Sequence, residues 1–173
     1  MTQVTFGYSD SEDRIWLSSS AGARFWLTRR LLSGLLRPMC EILEKSVPGG
    51  DIPNALPAGQ RIALEHGEAL ADSPEGLPAL AKNKETRSAG AAAAQPPILV
   101  TSITFQADSR HCALIITAGH EPTRIDTNRM DLHRLLAALY QTATAARWAL
   151  ADLPIWLTER PSSAARPPPP SSR

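Results

Sequence analysis

The chain has 173 residues and a mass of 18.7 kDa, which is enough for one domain with a sizeable core. Its net charge of +1 excludes a global attraction to nucleic acid or to an anionic membrane, and its two cysteines exclude a disulfide scaffold. The N-terminus has no basic region followed by an apolar run, and no stretch approaches the roughly 18 apolar residues of a membrane helix. We therefore expect a soluble cytoplasmic protein.

The first part of the chain shows the pattern of three short strands. Apolar and polar residues alternate over 4–8, 14–20 and 23–27. A polar turn at 9–13 and a tight Ala21-Gly22 turn separate these segments. A three-stranded meander is predicted.

The spacing of apolar residues then changes to that of a helix. Thr28 is a suitable N-cap, and leucines and other apolar residues recur at helical spacing from Leu31 to Leu43. Pro38 lies inside this stripe, which keeps its phase beyond the proline. We therefore expect a kinked helix rather than two separate ones.

The region 47–97 is rich in proline, glycine and alanine, and predicts a flexible insert. Within it, residues 58–71 (AGQRIALEHGEALA) favour a short helix. The tail 158–173, which contains Pro167 to Pro170, is expected to be disordered with polyproline character.

Strand patterns return after the insert, at 98–105, 112–116 and 123–125. Turns are expected at Asp108-Ser109 and at Gly119 to Pro122.

A second amphipathic helix follows these strands. Its stripe begins at Leu132, and Asp126, Thr127 and Asn128 are alternative N-caps. The segment 153–157 predicts an apolar clip that folds back onto the core.

The halves 1–46 and 98–157 repeat the same order of strands and helix, which favours an internal duplication. Neither half alone has enough apolar surface for a stable core. We therefore predict one α+β domain over 1–157, of the form βββα–insert–βββα. Its two similar β-meander-plus-helix halves would form one antiparallel sheet covered by two helices.

The histidines give weak signals for chemistry. His111 and Cys112 point to opposite faces of a strand, so they do not ligate one metal together with His120. Glu65-His66-Gly67-Glu68 places a histidine between carboxylates, an arrangement more typical of a solvated helix face. The sequence contains no recognisable catalytic, cofactor-binding or metal-binding motif, so we expect no enzyme, cofactor or metal.

The strongest functional signal is on the first meander. Trp16, Arg24 and Trp26 share the face opposite the apolar residues that are expected to meet the helices. Tryptophan and arginine are enriched at binding hot spots, so these residues predict an interface with another protein or a second copy of the chain. Alternatively, the helix at 58–71 or the segment around Trp156 covers them.

A further alternative is binding of single-stranded nucleic acid on the aromatic face. In topology alone, duplicated meander-plus-helix units resemble the Pur-alpha and Whirly families, which bind single strands. The lack of a basic surplus counts against it. The preferred hypothesis is therefore a non-catalytic adaptor, assembly or regulatory protein.

Overall fold

The computed structural model describes both halves and the helix between them. The described residues are 4–19, 24–47, 56–71, 97–107, 111–119 and 121–159. Outside these ranges lie the predicted turns at Ala21-Gly22 and Asp108-Ser109, residues 48–55 and 72–96 of the predicted insert 47–97, and residues 160–173 of the predicted tail 158–173.

The strands lie close to where the alternation placed them. They are β1 (Val4–Ser9), β2 (Arg14–Ser19), β3 (Arg24–Leu27), β4 (Ile98–Ala107), β5 (Cys112–Ala118) and β6 (Glu121–Thr127). They form one six-stranded sheet in the order β1-β2-β3-β4-β5-β6. The α+β class is confirmed.

The sheet is mixed rather than antiparallel throughout. Within each half the strands pair antiparallel, but β3 and β4 pair parallel through Phe25–Ile98 and Trp26–Leu99. Parallel neighbours require a crossover that returns the chain to the starting end of the sheet. The first-half helix and the insert lie between these two strands and supply that crossover.

Strand β6 begins earlier than predicted, because Glu121 and Pro122 belong to it rather than to a turn. Pro122 lacks the N–H that a central strand needs, and β6 is at the edge of the sheet, paired with β5. An edge strand accommodates the proline because its outward side needs no partner.

The helices are α1 (Arg29–Lys45), α2 (Ala58–Ala71), α3 (Arg129–Ala145) and α4 (Ile155–Thr158). Thr28 Oγ1 accepts a hydrogen bond from the Leu31 amide at 3.2 Å, which confirms the predicted cap of α1. Of the three candidate caps for α3, Asn128 is the one used, since its Oδ1 accepts from the Asp131 amide at 2.8 Å. Helix α1 continues past Pro38.

The helices form a second layer on one face of the sheet. Helix α1 lies against β4 and α3 approaches β1, so each helix contacts a strand of the other half. Helix α2 packs against α1, α3 and α4, so the layer contains more than the two predicted helices. Both halves have the order βββα, while their common origin stays a prediction.

The core lies between the sheet and the helices. Its most deeply buried apolar side chains come from both halves and from α2: Ile15, Leu27, Leu32, Leu36, Met39, Leu43, Ile62, Leu132 and Leu136. Burial of a side chain of this size stabilises the fold by roughly 1.5–3 kcal/mol. No helix within the described residues has both the length and the apolar character needed to span a membrane.

Two tryptophans in the C-terminal segment connect it to the first half. Trp148 Nε1 donates to Asp13 Oδ1 at 2.8 Å, and Trp156 Nε1 donates to Glu44 Oε1 at 2.7 Å. Trp156 and its neighbour Leu157 are buried, as the predicted apolar clip requires. The C-terminal segment therefore closes the helical layer.

Candidate functional site

The face of the sheet turned away from the helices carries an apolar row. Trp16 lies opposite Trp26, and Trp26 lies beside Leu99 on the neighbouring strand. Both tryptophans are half-buried and Leu99 is 43% exposed. The alternate residues of these strands, such as Ile15 and Phe25, are buried in the core, so the predicted division between the two faces is present.

The Trp16 ring is held by its neighbours on this face. It lies over Gly7, where an added Cβ would be 2.7 Å from Trp16 Cζ2. The guanidinium carbon of Arg24 lies 4.8 Å from the ring centroid, within the range of a cation–π contact. Trp16 Nε1 is buried and has no hydrogen-bond partner among the described residues, so packing fixes the ring.

The two segments that were candidates for covering this face lie elsewhere. Helix α2 packs against the other helices, and Trp156 lies among them. We call Trp16, Arg24, Trp26 and Leu99 the outer-face patch. Its role in binding stays a prediction.

A second cluster, not predicted from the sequence, lies between α2 and α3. His66 Nδ1 is 3.2 Å from His133 Nδ1, and the two residues are 2% and 0% exposed. The expectation that residues 65–68 form a solvated face is therefore wrong for His66. Burial, with a smaller effect of His133, lowers the pKa of His66 from 6.5 to about 4, so its ring is neutral at pH 7.

The histidine pair adjoins a partly buried ion pair. Arg129 Nε and Nη2 donate to the two carboxylate oxygens of Glu65 at 2.6 and 2.9 Å, and His133 Nε2 lies 3.4 Å from Glu65 Oε2. Burial tends to raise the pKa of Glu65, but the hydrogen bonds and charges of Arg129 and His133 outweigh it and lower the pKa from 4.5 to about 2. Arg129 also donates to Ser46 Oγ at 2.8 Å, which ties α1 to the same cluster.

The ring of Trp156 closes this cluster. Its centroid is 5.2 Å from that of His66 and 5.6 Å from that of His133, with both pairs close to edge-on. Because Trp156 also bonds Glu44, the cluster joins α1, α2, α3 and α4.

His66 also lines a cleft of about 440 Å³ between α2, α3 and α4. The other lining residues are Leu70, Ala137, Tyr140, Gln141, Thr144, Ala145, Leu157, Thr158 and Glu159. The cleft therefore combines apolar walls with hydroxyl, amide and carboxylate groups, and an imidazole lies at its boundary.

The sequence contains a spacing pattern that indicates the burial of His66. Ile62, Glu65, His66 and Ala69 follow the i, i+3, i+4, i+7 spacing of one helix face, and two of them are fully buried apolar residues. His66 therefore shares the buried stripe of α2. No comparable local pattern identifies its partner, because His133 is 67 residues away.

The other residues considered for chemistry are dispersed. Cys40 and Cys112 are buried thiols, and burial, together with Glu44 and Glu41, raises the pKa of Cys40 to about 12. His111 is exposed, while His120 lies outside the described residues. Within the described ranges, no group of three or more His, Cys, Asp or Glu side chains is arranged to hold a metal ion.

The geometry thus offers two candidate sites, the outer-face patch and the cleft beside His66. The patch is apolar and positively charged, whereas the cleft is lined by neutral side chains and one carboxylate. Comparison with protein families, curated proteins and solved structures found no match.

Proposed function

We propose that the protein is a non-catalytic cytoplasmic adaptor or regulatory protein that binds a different protein through its outer-face patch. The observation that carries the proposal is the contiguous row of Trp16, Trp26 and Leu99 on the side of the sheet away from the helices. Contiguous exposed apolar surface, bordered by polar groups, is typical of protein interfaces.

The arrangement of Trp16 favours protein over single-stranded nucleic acid. A base stacks on an open ring face. The Trp16 ring already lies against Gly7 and carries the Arg24 guanidinium, so stacking there requires Arg24 to move. A protein can instead pack on the row as it stands, with a carboxylate directed at Arg24.

The charges on this face favour a different protein over a second copy. Arg14 shares the face with Trp16, because residues two apart on a strand point the same way, and Arg24 follows on the next strand. A two-fold interface would place the same arginines on both contacting surfaces, with no added acidic partner. We therefore expect a partner that presents apolar side chains next to acidic ones.

The first test replaces Leu99 by a photo-crosslinking amino acid in the native host, with Ile155 as the matched control position. Ile155 is apolar and 69% exposed but lies on α4, in the helical layer. A protein crosslinked from position 99 and not from position 155 identifies the candidate partner. Crosslinks from position 99 to nucleic acid alone contradict the proposal.

The second test measures binding of that purified partner by calorimetry. Trp26→Ala is expected to weaken binding by at least about tenfold, as for a hot-spot tryptophan. Arg24→Glu should also weaken binding, and the loss of affinity should be larger in low salt than in high salt. Ile155→Ala should leave the affinity unchanged. Equal affinity of the wild type, Trp26→Ala and Arg24→Glu would overturn the proposal. If the purified chain self-associates and Trp26→Ala abolishes this self-association, the outer-face patch binds a second copy of the chain instead.

A further inference from the structure

We propose that two copies of the chain associate through the free edge of β1, as an antiparallel two-fold dimer with one continuous sheet. Strand β1 (Val4–Ser9) is the first strand of the sheet and pairs with β2 only. Within the described residues, no backbone group outside β2 hydrogen-bonds to it. An edge strand of this kind presents backbone N–H and C=O groups with which another strand can pair. The edge is distinct from the outer-face patch, so the inference does not depend on the proposed function.

The two edges of the sheet differ in their protection against strand addition. The other edge strand, β6, contains Pro122, which lacks an N–H, and the charged residues Glu121, Arg124 and Asp126. Arg124 Nε donates to Asp126 Oδ1 at 2.8 Å. Proline and charged side chains are common means by which proteins prevent edge-to-edge association. Strand β1, with the sequence VTFGYS, has no proline and no charged residue, so its edge is the one that permits pairing.

The composition of β1 favours a second copy of the same strand as the partner. A two-fold axis perpendicular to the sheet makes the two strands antiparallel and keeps the helices of both copies on one face. Phe6 and Tyr8 lie on that helical face, opposite Leu17 and Ile15, and therefore adjoin the same aromatic residues of the second copy. Aromatic pairs across antiparallel strands are stabilising. Because β1 is uncharged, its self-pairing brings no like charges together within the strand.

The acidic turn after β1 favours the antiparallel direction. Asp10, Glu12 and Asp13 are exposed in the connection between β1 and β2. Parallel pairing of two β1 strands would place the two acidic turns side by side, where like charges repel. Antiparallel pairing places them at opposite ends of the contact.

The dimer leaves the outer face open and joins the two outer-face patches. Gly7 has no side chain on this face, and the Trp16 ring of the same chain lies over it. Strand β2, which carries Trp16, is next to β1 in both copies. The two rows of tryptophans therefore lie on one surface, on either side of the β1–β1 contact.

The difference between the edges also limits the assembly to two copies. A two-fold contact uses the same surface of both chains, so pairing β1 with β1 leaves only β6 at each end of the combined sheet. Pro122 and the charges of β6 oppose further addition there. We therefore expect a closed dimer and no filament.

The first test is sedimentation velocity of the full chain at concentrations from about 1 μM to about 500 μM, which span the expected Kd. Because β1 has only six residues, the contact is small, and we expect a dimer with a Kd on the order of 10–100 μM. A mixture of isotope-labelled and unlabelled chain then identifies the contact by NMR. Isotope-filtered NOEs between β1 of one copy and β1 of the other are expected.

The second test adds charge to the edge. In an antiparallel pair, residue 5 of one copy lies towards residue 9 of the other, so Thr5→Lys/Ser9→Lys should raise the Kd at least about tenfold. Thr104→Lys/Gln106→Lys is the matched control, because it adds the same charge at exposed positions of β4, inside the sheet, and should leave the Kd unchanged. Thr5→Glu/Ser9→Glu should also be monomeric alone. Mixing it with Thr5→Lys/Ser9→Lys should restore association, because the charges are then opposite.

Several results would overturn the proposal. These are a wild-type chain that stays monomeric at the highest concentration, and a dimer that the folded Thr5→Lys/Ser9→Lys variant forms with unchanged Kd. Failure of the two oppositely charged variants to associate on mixing, when near-UV circular dichroism shows both to be folded, would also contradict it. The NOEs need only the wild type, so they decide the outcome if a variant does not fold. Inter-chain NOEs that connect other surfaces and omit β1 would show that the dimer forms elsewhere.

Discussion

At the residue scale, the position of Trp16 depends on the absence of a side chain at residue 7. Gly7 lies opposite Trp16 on the adjacent strand, and the indole fills the space where a Cβ would be. The backbone of Gly7 is not in the left-handed region, so the requirement is for space rather than for conformational freedom. The alternation placed Trp16 on this face, but the close approach to Gly7 follows only from the pairing of β1 with β2.

Gly7→Ala is expected to destabilise the protein by about 1–3 kcal/mol, because the new methyl overlaps the Trp16 ring and the ring must move. The effect should largely disappear in a Trp16→Leu background, and urea denaturation of the four proteins of this double-mutant cycle measures the coupling. Gly34→Ala is the control: nothing lies within 4 Å of its added Cβ in α1, so it should stabilise by about 0.5–1 kcal/mol. Additive effects of Gly7→Ala and Trp16→Leu would contradict the packing argument.

At the scale of elements, α2 is attached to α3 by polar groups as well as by apolar ones. The His66–His133 contact and the bidentate Glu65–Arg129 pair lie side by side in this interface. Removing one partner of a fully buried ion pair typically costs about 3–5 kcal/mol. A smaller loss is expected here, because the Glu65 side chain is 19% exposed. The docking of α2 therefore depends on the Glu65–Arg129 pair as well as on apolar packing.

Acidification should weaken the fold through His66. Its pKa is 6.5 in the unfolded chain and about 4 in the folded one, so the stability that neutral His66 contributes is complete above pH 6.5 and is lost as the pH falls towards 4. A shift of this size corresponds to about 3 kcal/mol. Urea denaturation between pH 7.5 and pH 4 measures the loss. Loss of the Glu65 carboxylate adds a further decrease below pH 4.5.

His66→Gln should flatten this pH dependence between pH 6.5 and pH 4, since glutamine has no proton to gain. Leu64→Gln serves as the control, because Leu64 is an exposed residue of the same helix and has no titratable group. If the slope persists in His66→Gln, another group is responsible and the assignment to His66 is wrong.

At the scale of the whole molecule, the two halves are interlocked. Helix α1 of the first half lies against β4 of the second, and α3 of the second half approaches β1 of the first. The parallel β3–β4 pairing and the two tryptophan hydrogen bonds, Trp148 to Asp13 and Trp156 to Glu44, cross the same boundary. Each half therefore lacks part of its core without the other.

The halves are consequently expected to unfold in one transition. Leu36→Ala in α1, at a fully buried position, should cost about 2–5 kcal/mol, as large-to-small core substitutions do. Native-state hydrogen exchange measures the free energy of opening for the amides of Leu114 and Ile116 in β5, in the second half of the sheet. Leu36→Ala should lower that free energy by the same amount as it lowers the free energy of unfolding. Unchanged protection in β5 would show that the halves open independently.

Local periodicity determined most of the elements. The alternation around Phe6, Ile15 and Phe25 and the leucine stripe from Leu31 to Leu43 predicted β1, β2, β3 and α1, and Thr28 predicted where α1 begins. These features depend on residues a few positions apart, so the sequence carries them. The same periodicity placed Trp16 and Trp26 opposite the buried face, and therefore located the candidate protein-binding surface.

Only the tertiary structure decided how distant segments meet. The parallel pairing of β3 with β4, the exchange of helices between the halves and the contact of His66 with His133 join residues far apart in the chain. Net charge and length exclude classes of protein but contain no information on such contacts. The physical reason is that these contacts depend on which apolar faces cover one another, a property of the whole core rather than of any local pattern.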